Sequence, residues 1–194
     1  IQINVEPEEE GPMSLKIRIP GWARNEAIPG DLYHYQSHTD EKPTLTINGD
    51  ETDTNMEGGY AVIRREWEEG DQVRLHLPMS PRRVEAHEKV KADRGKTALQ
   101  YGPVVYCFEE VDNGPASHLL LPGGADIVAK YRSDLLNGVM TLQTNAPVTK
   151  VSDDKIRTRR QTITAIPYYS WSHRGPSSMT VWLPVSINYI SIIP

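Results

Sequence analysis

Val73-Arg74-Leu75-His76-Leu77-Pro78 is the stretch from which the fold class follows. Apolar and polar side chains alternate with a period of two, as in a strand with one face buried and the other wet. Leu15, Ile17 and Ile19 alternate with Ser14, Lys16 and Arg18 in the same way until Pro20-Gly21 stops the run. Leu45 and Ile47 repeat the pattern up to Asn48-Gly49, a pair that tolerates positive φ and so predicts a tight turn. The short link Glu68-Glu69-Gly70-Asp71 joins a strand at Tyr60–Trp67 to the Val73 strand, and its length predicts that these two are antiparallel neighbours.

Further along, strands are expected at Arg83–Ala86, Val90–Ala92, Thr97–Gln100 and Val104–Phe108, with a turn at Asp93-Arg94-Gly95. Leu119–Leu121, Ile127–Arg132, Val139–Thr144, Ile156–Ile166, Tyr168–His173 and Met179–Leu183 complete the set. Helix is confined to short stretches around Arg132–Leu136 and Glu85–Val90, and Gly30 to Lys42 reads as one long surface loop. Evenly spaced short strands separated by turn residues predict an all-β chain of antiparallel β-sandwich architecture. Asp112-Asn113-Gly114-Pro115 is the strongest loop signal. It divides the chain into two consecutive β-domains, 1–111 and 112–194.

Composition narrows the function. The 194 residues carry a formal charge of −5, and the one basic cluster, Arg157 with Arg159 and Arg160, alternates with polar residues as a solvated strand face does. No basic surface suited to nucleic acid is expected, nor is any apolar run long enough to span a bilayer. Cys107 is the single cysteine, so no intrachain disulfide can form, and both the bacterial cytoplasm and the periplasm are compatible with the chain. It lies in the apolar run Val104-Val105-Tyr106-Cys107-Phe108, where a thiol behaves as a small buried hydrophobe.

Hydrolysis of a glycosidic bond ordinarily needs two facing carboxyls. Glu8-Glu9-Glu10 and the acidic residues around Gly70 sit in loops or turns, where carboxylates are solvated; Glu109 and Glu110, at the end of a buried strand, are better placed. His34 and His38 would share a face only on a helix, which the nearby Pro29-Gly30 opposes. Ser170, Ser172 and His173 are close in sequence but lack a nucleophile-elbow pattern. No catalytic or metal-binding residue is therefore assigned. The aromatic residues remain. Trp67 and Trp182 fall in strands that need core residues, whereas Tyr168, Tyr169 and Trp171 cannot all face one side of a strand, and at least one must be exposed. These three are the candidate carbohydrate-binding residues, because sugar rings stack on exposed indole and phenol faces.

The block Leu15-Lys16-Ile17-Arg18-Ile19-Pro20-Gly21-Trp22-Ala23 resembles the segment that follows the catalytic barrel in the β-L-arabinofuranosidases of glycoside hydrolase family 127. Ile47-Asn48-Gly49, Gly59-Tyr60 and the run from Gly70-Asp71 to Met79 are similar to that family's middle β-domain, and Asp93-Arg94-Gly95-Lys96 through Cys107 to its closing block. Ile166-Pro167-Tyr168-Tyr169-Ser170-Trp171 and His173-Arg174-Gly175 resemble its C-terminal β-domain, although Ser172-His173 stand where the family often has Ala-Asn. Nothing beyond Pro184 is matched, so Val185–Pro194 reads as a divergent or foreign tail or a final strand.

The resemblance implies a bacterial parent with an N-terminal helical-barrel catalytic domain, a zinc-bound cysteine nucleophile and a glutamate acid/base. The zinc and both catalytic groups would lie in that barrel, and no cofactor is expected in this segment. The segment would then be non-catalytic accessory structure, partnered by the barrel, with homodimer contacts as a further expectation. The alternatives are a carbohydrate-binding module that engages a glycan through Tyr168, Tyr169 or Trp171, and an interaction domain that pairs through exposed strand edges.

Overall fold

The computed structural model describes residues 1–53, 55–152 and 155–189. In chain order its strands begin with β1 (Gln2–Asn4), β2 (Gly11–Arg18), β3 (Tyr33–Tyr35), β4 (Thr44–Ile47), β5 (Asp50–Glu51), β6 (Asn55–Glu57), β7 (Tyr60–Trp67) and β8 (Gln72–His76). They continue with β9 (Pro81–Ala86), β10 (Lys96–Tyr101) and β11 (Val104–Glu109), then the one-turn helix α1 (Glu110–Asn113). β12 (Val128–Arg132), β13 (Val139–Ser152), β14 (Lys155–Pro167), β15 (Met179–Thr180) and β16 (Leu183–Pro184) follow. Every pairing among the described strands is antiparallel, and the expected all-β fold class is what the chain adopts.

The first compact unit comprises residues 1–29 and 38–79. One sheet runs β1-β8-β4-β5 and the other β2-β7-β6. Their inner faces share one core, with Ile17, Ile19, Ala61, Ile63 and Trp67 from one sheet and its flanks, and Leu45, Ile47, Val73 and Leu75 from the other. This is a β-sandwich, and it corrects the expectation that β7 and β8 pair side by side. The link Glu68–Asp71 instead carries the chain from one sheet to the other, so that Trp67 and Val73 meet across the core. Trp67 is fully buried, and its indole Nε1–H donates to the Met13 carbonyl at 3.0 Å. Removing such a ring costs about 3–5 kcal/mol in a packed core.

The Asn48-Gly49 turn forms as expected, with φ of 52° and 97° and Ile47 paired to Asp50. It also braces the crossing link. Asn48 Nδ2 donates to Asp71 Oδ1 at 2.7 Å, while Asn48 Oδ1 accepts from the Gln72 N–H at 2.8 Å. Asp71 Oδ2 accepts from the Glu68 N–H at 3.1 Å and stands 3.7 Å from Arg65 Nη2.

The second unit comprises residues 30–37 and 80–194. Its sheet runs β12-β13-β14-β11-β10-β9-β3, with β15 added to β11 and β16 to β10. Leu99, Tyr106, Phe108, Leu119, Leu121, Leu142, Ile163 and Leu183 form its core. β3 falls inside the stretch read as a surface loop, and it pairs with β9, Tyr35 opposite Val84. Arg82, two residues before Val84, lies over the Tyr35 ring at 3.9 Å. The division between units is at Met79 and Ser80, which corrects the boundary expected at Asp112–Pro115. The turn chemistry there is real, with Gly114 at φ 77°, but it serves to end α1 inside the second unit.

Three further expectations shift. Val90–Ala92 is not a strand, and Lys91–Asp93 form a 3-10 turn. Leu119–Leu121 contributes a single bridge, Leu119 to Val148. Tyr168–Ser170 form a 3-10 turn where a strand was expected, because Pro167 has no N–H to continue the ladder and leads the chain away at φ −54°. Of Val185–Pro194, Ile187–Tyr189 form a 3-10 turn and residues 190–194 lie outside the described residues.

Asn48 first, then the Glu68 N–H and Arg65, hold the Asp71 carboxyl below its ordinary value. A carboxyl lowered on folding adds stability above its unfolded value of about 3.9, and that stability fades as pH falls through the lower folded value. Urea unfolding from pH 6 to pH 2 should therefore show wild type losing more stability than Asp71→Asn below about pH 4. Parallel curves for the two proteins would contradict this role.

Candidate functional site

The three candidate aromatic residues follow directly on β14. Because Tyr168 to Ser170 turn instead of extending, strict two-face alternation does not apply, and all three rings reach the surface. Tyr168 is 46%, Tyr169 67% and Trp171 39% exposed. The Tyr168 and Trp171 rings lie 6.3 Å apart, inclined by 35°. The Trp171 indole N–H donates to the Ser177 carbonyl at 3.0 Å, which fixes the plane of the ring.

The loop that carries these rings is anchored by charge. Glu109, the last residue of β11, is 1% exposed. Its carboxylate accepts from the Ser172 N–H at 2.9 Å and from Arg174 Nη2. The same guanidinium donates through Nη1 to Asp112 Oδ1 at 2.8 Å and through Nη2 to Asp112 Oδ2 at 2.5 Å. Asp112, and then Glu109, raise the Arg174 guanidinium above its already high ordinary value, so it is a permanent cation. Glu110 N–H donates to the Ser178 carbonyl at 2.9 Å and Val111 N–H to Ser177 Oγ at 3.4 Å.

α1 is itself fastened from behind. Buried Asn113 donates to the carbonyls of Glu109 and Thr164 at 2.8 and 2.9 Å and accepts from the Thr164 N–H at 2.7 Å. Sequence reasoning noticed Glu109 but not its partner. Arg174 lies 65 positions away, and no local pattern announces a pair that long-range folding creates.

Other sequence candidates are not brought together. Ser170 is buried, whereas the Ser172 hydroxyl donates to the Gly175 carbonyl at 3.3 Å and His173 is exposed. His34 and His38 belong to different units, and His34 Nε2 stands 3.9 Å from Glu85 Oε2. Arg157, Arg159 and Arg160 are exposed, the solvated strand face that their spacing suggested. Arg157 and Arg159 line a groove of about 790 Å³ beside His118 and Gln161.

Cys107 is fully buried, and burial followed by the Glu109 carboxylate pushes its thiol up to about 11. A thiol so raised supplies little thiolate near neutral pH. Among the described residues no group of three or more His, Cys, Asp and Glu side chains could hold a metal ion.

The sequence of the first unit matches the family model described as the β-L-arabinofuranosidase, glycoside hydrolase family 127 middle domain, over residues 1–79. Residues 81–184 match the family 127 C-terminal domain. The chain belongs to glycoside hydrolase family 127. Apart from residues 30–37, which join the second unit, the two family 127 domains meet where the structure divides, so the block from Asp93 to Cys107 is part of the C-terminal domain and not the close of the middle one.

A curated relative, the non-reducing end β-L-arabinofuranosidase of Bifidobacterium longum subsp. longum, is 31% identical over 180 residues, 86% of this chain and 25% of its own length. A solved family 127 β-arabinofuranosidase superposes with a TM-score of 0.89 at 36% identity, covering 98% of this chain and 30% of that one. The family 127 β-L-arabinofuranosidase Ara127N of Geobacillus stearothermophilus T6 gives 0.79 at 38% identity, over 94% and 28%. The chain thus spans between a quarter and a third of these relatives.

Arg174→Ala would leave Glu109 charged, buried and without its cation, and should cost about 3–5 kcal/mol in urea unfolding. The paired replacement Glu109→Leu with Arg174→Met should recover most of that loss, since an apolar pair of similar size carries no desolvation penalty. Equal losses from the single and paired variants would show that the ion pair is not what holds the loop.

Proposed function

We propose that this chain is the non-catalytic, accessory portion of a longer bacterial glycoside hydrolase that acts on arabinofuranosides or related plant-type glycans. The observation that carries the reading is the match to two family domains, named middle and C-terminal, that meet at the same place as the two structural units apart from residues 30–37, in a chain a quarter to a third as long as its relatives. The geometry supports it. A glycosidic acid/base must be free to exchange its proton with the substrate oxygen, but the most buried carboxylate, Glu109, is engaged by Arg174 and by a backbone N–H. In this reading the two β-units brace a catalytic domain and contribute no reacting group.

A second reading, a carbohydrate-binding module, is favoured by one observation: Tyr168, Tyr169 and Trp171 expose three aromatic rings from a single loop.

Two measurements on the 194-residue chain test these readings. Incubated with aryl arabinofuranosides, the chain should release no phenol above buffer; turnover abolished by Glu109→Gln would overturn the accessory role. Titration with arabinan oligosaccharides in a calorimeter should give no heat of binding, whereas saturable heat lost in Tyr169→Ala would establish the module.

A further inference from the structure

Three Asn-Gly pairs occur in the sequence, Asn48-Gly49, Asn113-Gly114 and Asn137-Gly138. In each, a side-chain amide precedes a backbone nitrogen that no Cβ screens, so the nitrogen can attack the amide carbon wherever the amide is free to present it. The structure treats the three pairs differently. Asn48 Nδ2 donates to Asp71 and its Oδ1 accepts from the Gln72 N–H; Asn113 is 5% exposed, with its amide bound to Glu109 and Thr164. Asn137 is exposed, and its side-chain amide makes no hydrogen bond among the described residues.

The backbone around Asn137 adds to its exposure. Leu136 and Asn137 both stand at positive φ, 53° and 62°, in the tight turn that the Gly138 N–H closes on the Leu135 carbonyl at 2.9 Å. Asparagine takes this conformation readily, but leucine does not, because its Cβ crowds the following carbonyl. Opening the turn relieves Leu136 and frees the Gly138 nitrogen in one movement. At the Asn48 turn the two left-handed residues are asparagine and glycine, which tolerate it, so opening there relieves no strain. Gly138 is itself required: its φ is 100°, and a Cβ would overlap the Tyr131 hydroxyl. The hairpin between β12 and β13 thus keeps the residue that leaves its own nitrogen open to react.

We infer that Asn137 is a site of spontaneous deamidation in the folded chain, opened by the strained turn at Leu136. The Gly138 nitrogen gives up its proton and bonds to Cγ of Asn137 as the C–N bond of the side-chain amide breaks, and ammonia leaves with that proton. One water molecule then opens the resulting succinimide at either carbonyl, to aspartate or isoaspartate. Both products add a carboxylate to a turn that already carries Asp134. Isoaspartate also lengthens the backbone by one methylene just before β13, where Val139 pairs with Arg132. The inference goes beyond the accessory reading and does not depend on it.

Incubation of the chain in mildly alkaline buffer below its melting temperature, followed by peptide mapping with mass spectrometry, tests it. Aspartate and isoaspartate at 137 should accumulate about tenfold or more faster than at 48 or 113, where hydrogen bonds must break before the amide can react. In concentrated urea, with those bonds gone, the three positions should react within about threefold of one another. Leu136→Asn, which accepts positive φ, should slow the folded-state reaction at 137 about fivefold, with cooperative melting retained. No product at 137 in the folded chain, or rates at 48 or 113 that equal or exceed the rate at 137, overturn the site. An unchanged or faster reaction at 137 in folded Leu136→Asn overturns the part assigned to the strained turn.

Discussion

A carboxylate that is 1% exposed must be given a partner, and much of the second unit is arranged to give Glu109 one. The desolvation of a buried carboxylate is offset only by an opposite charge and by hydrogen bonds to its remaining lone pairs. Arg174 supplies the charge and the Ser172 N–H supplies a bond. To reach Glu109 the chain must run from Pro167 through a 3-10 turn and return over α1 before β15 joins β11 at Phe108 and Glu109. The position of the loop, the exposure of its rings and the fastening of α1 by Asn113 all belong to that one requirement. The ion pair therefore acts mainly by specifying a loop conformation, because an apolar pair could supply comparable stability but would not direct the chain so closely.

The first unit answers the same need by other means. Its core is apolar and two-sided, and its buried carboxylate among the described residues, Asp71, serves the link that crosses between sheets. There the partners are chiefly neutral: an asparagine side chain and a backbone N–H, with Arg65 at the longer distance of 3.7 Å. Asn48 thus has two tasks, adopting positive φ in the turn and bonding to Asp71 and Gln72. A glycine or aspartate at this position could keep the turn but could not donate to the Asp71 carboxylate, which explains why the amide suits the site.

The sequence reading was reliable where information is local. Period-two alternation placed β2, β4, β7 and β8, and Asn48-Gly49 placed a turn, because one strand's pleat and one turn's φ values are decided within a few residues. It faltered where partners are distant. Whether a short link joins neighbours in one sheet or crosses between two depends on which faces meet in the core, and Trp67 and Val73 meet only after collapse. Asp112–Pro115 carried turn chemistry without a domain boundary, since the bonds that hold Asn113 come from Thr164, about fifty positions away. The surface aromatics were found from a strand argument that does not hold, as those residues turn. Their exposure still followed, because Pro167 releases the chain from the ladder and a short turn cannot bury three large rings on one side.

The engagement of its buried carboxylates and the exposure of its aromatic rings can be understood together. Glu109, Asp112 and Asp71 are consumed in structure, each carboxylate held by a guanidinium, a side-chain amide or a backbone N–H. Large exposed rings, by contrast, are what remains at the surface once Pro167 has turned the chain out of the ladder, with Tyr168 and Trp171 6.3 Å apart. The Trp171 N–H and Arg174 are tied within the chain, so that the loop is held from its own side. The anchoring ion pair and the exposed rings are therefore two sides of one construction: charge fixes the loop that carries Tyr168, Tyr169 and Trp171 at the surface.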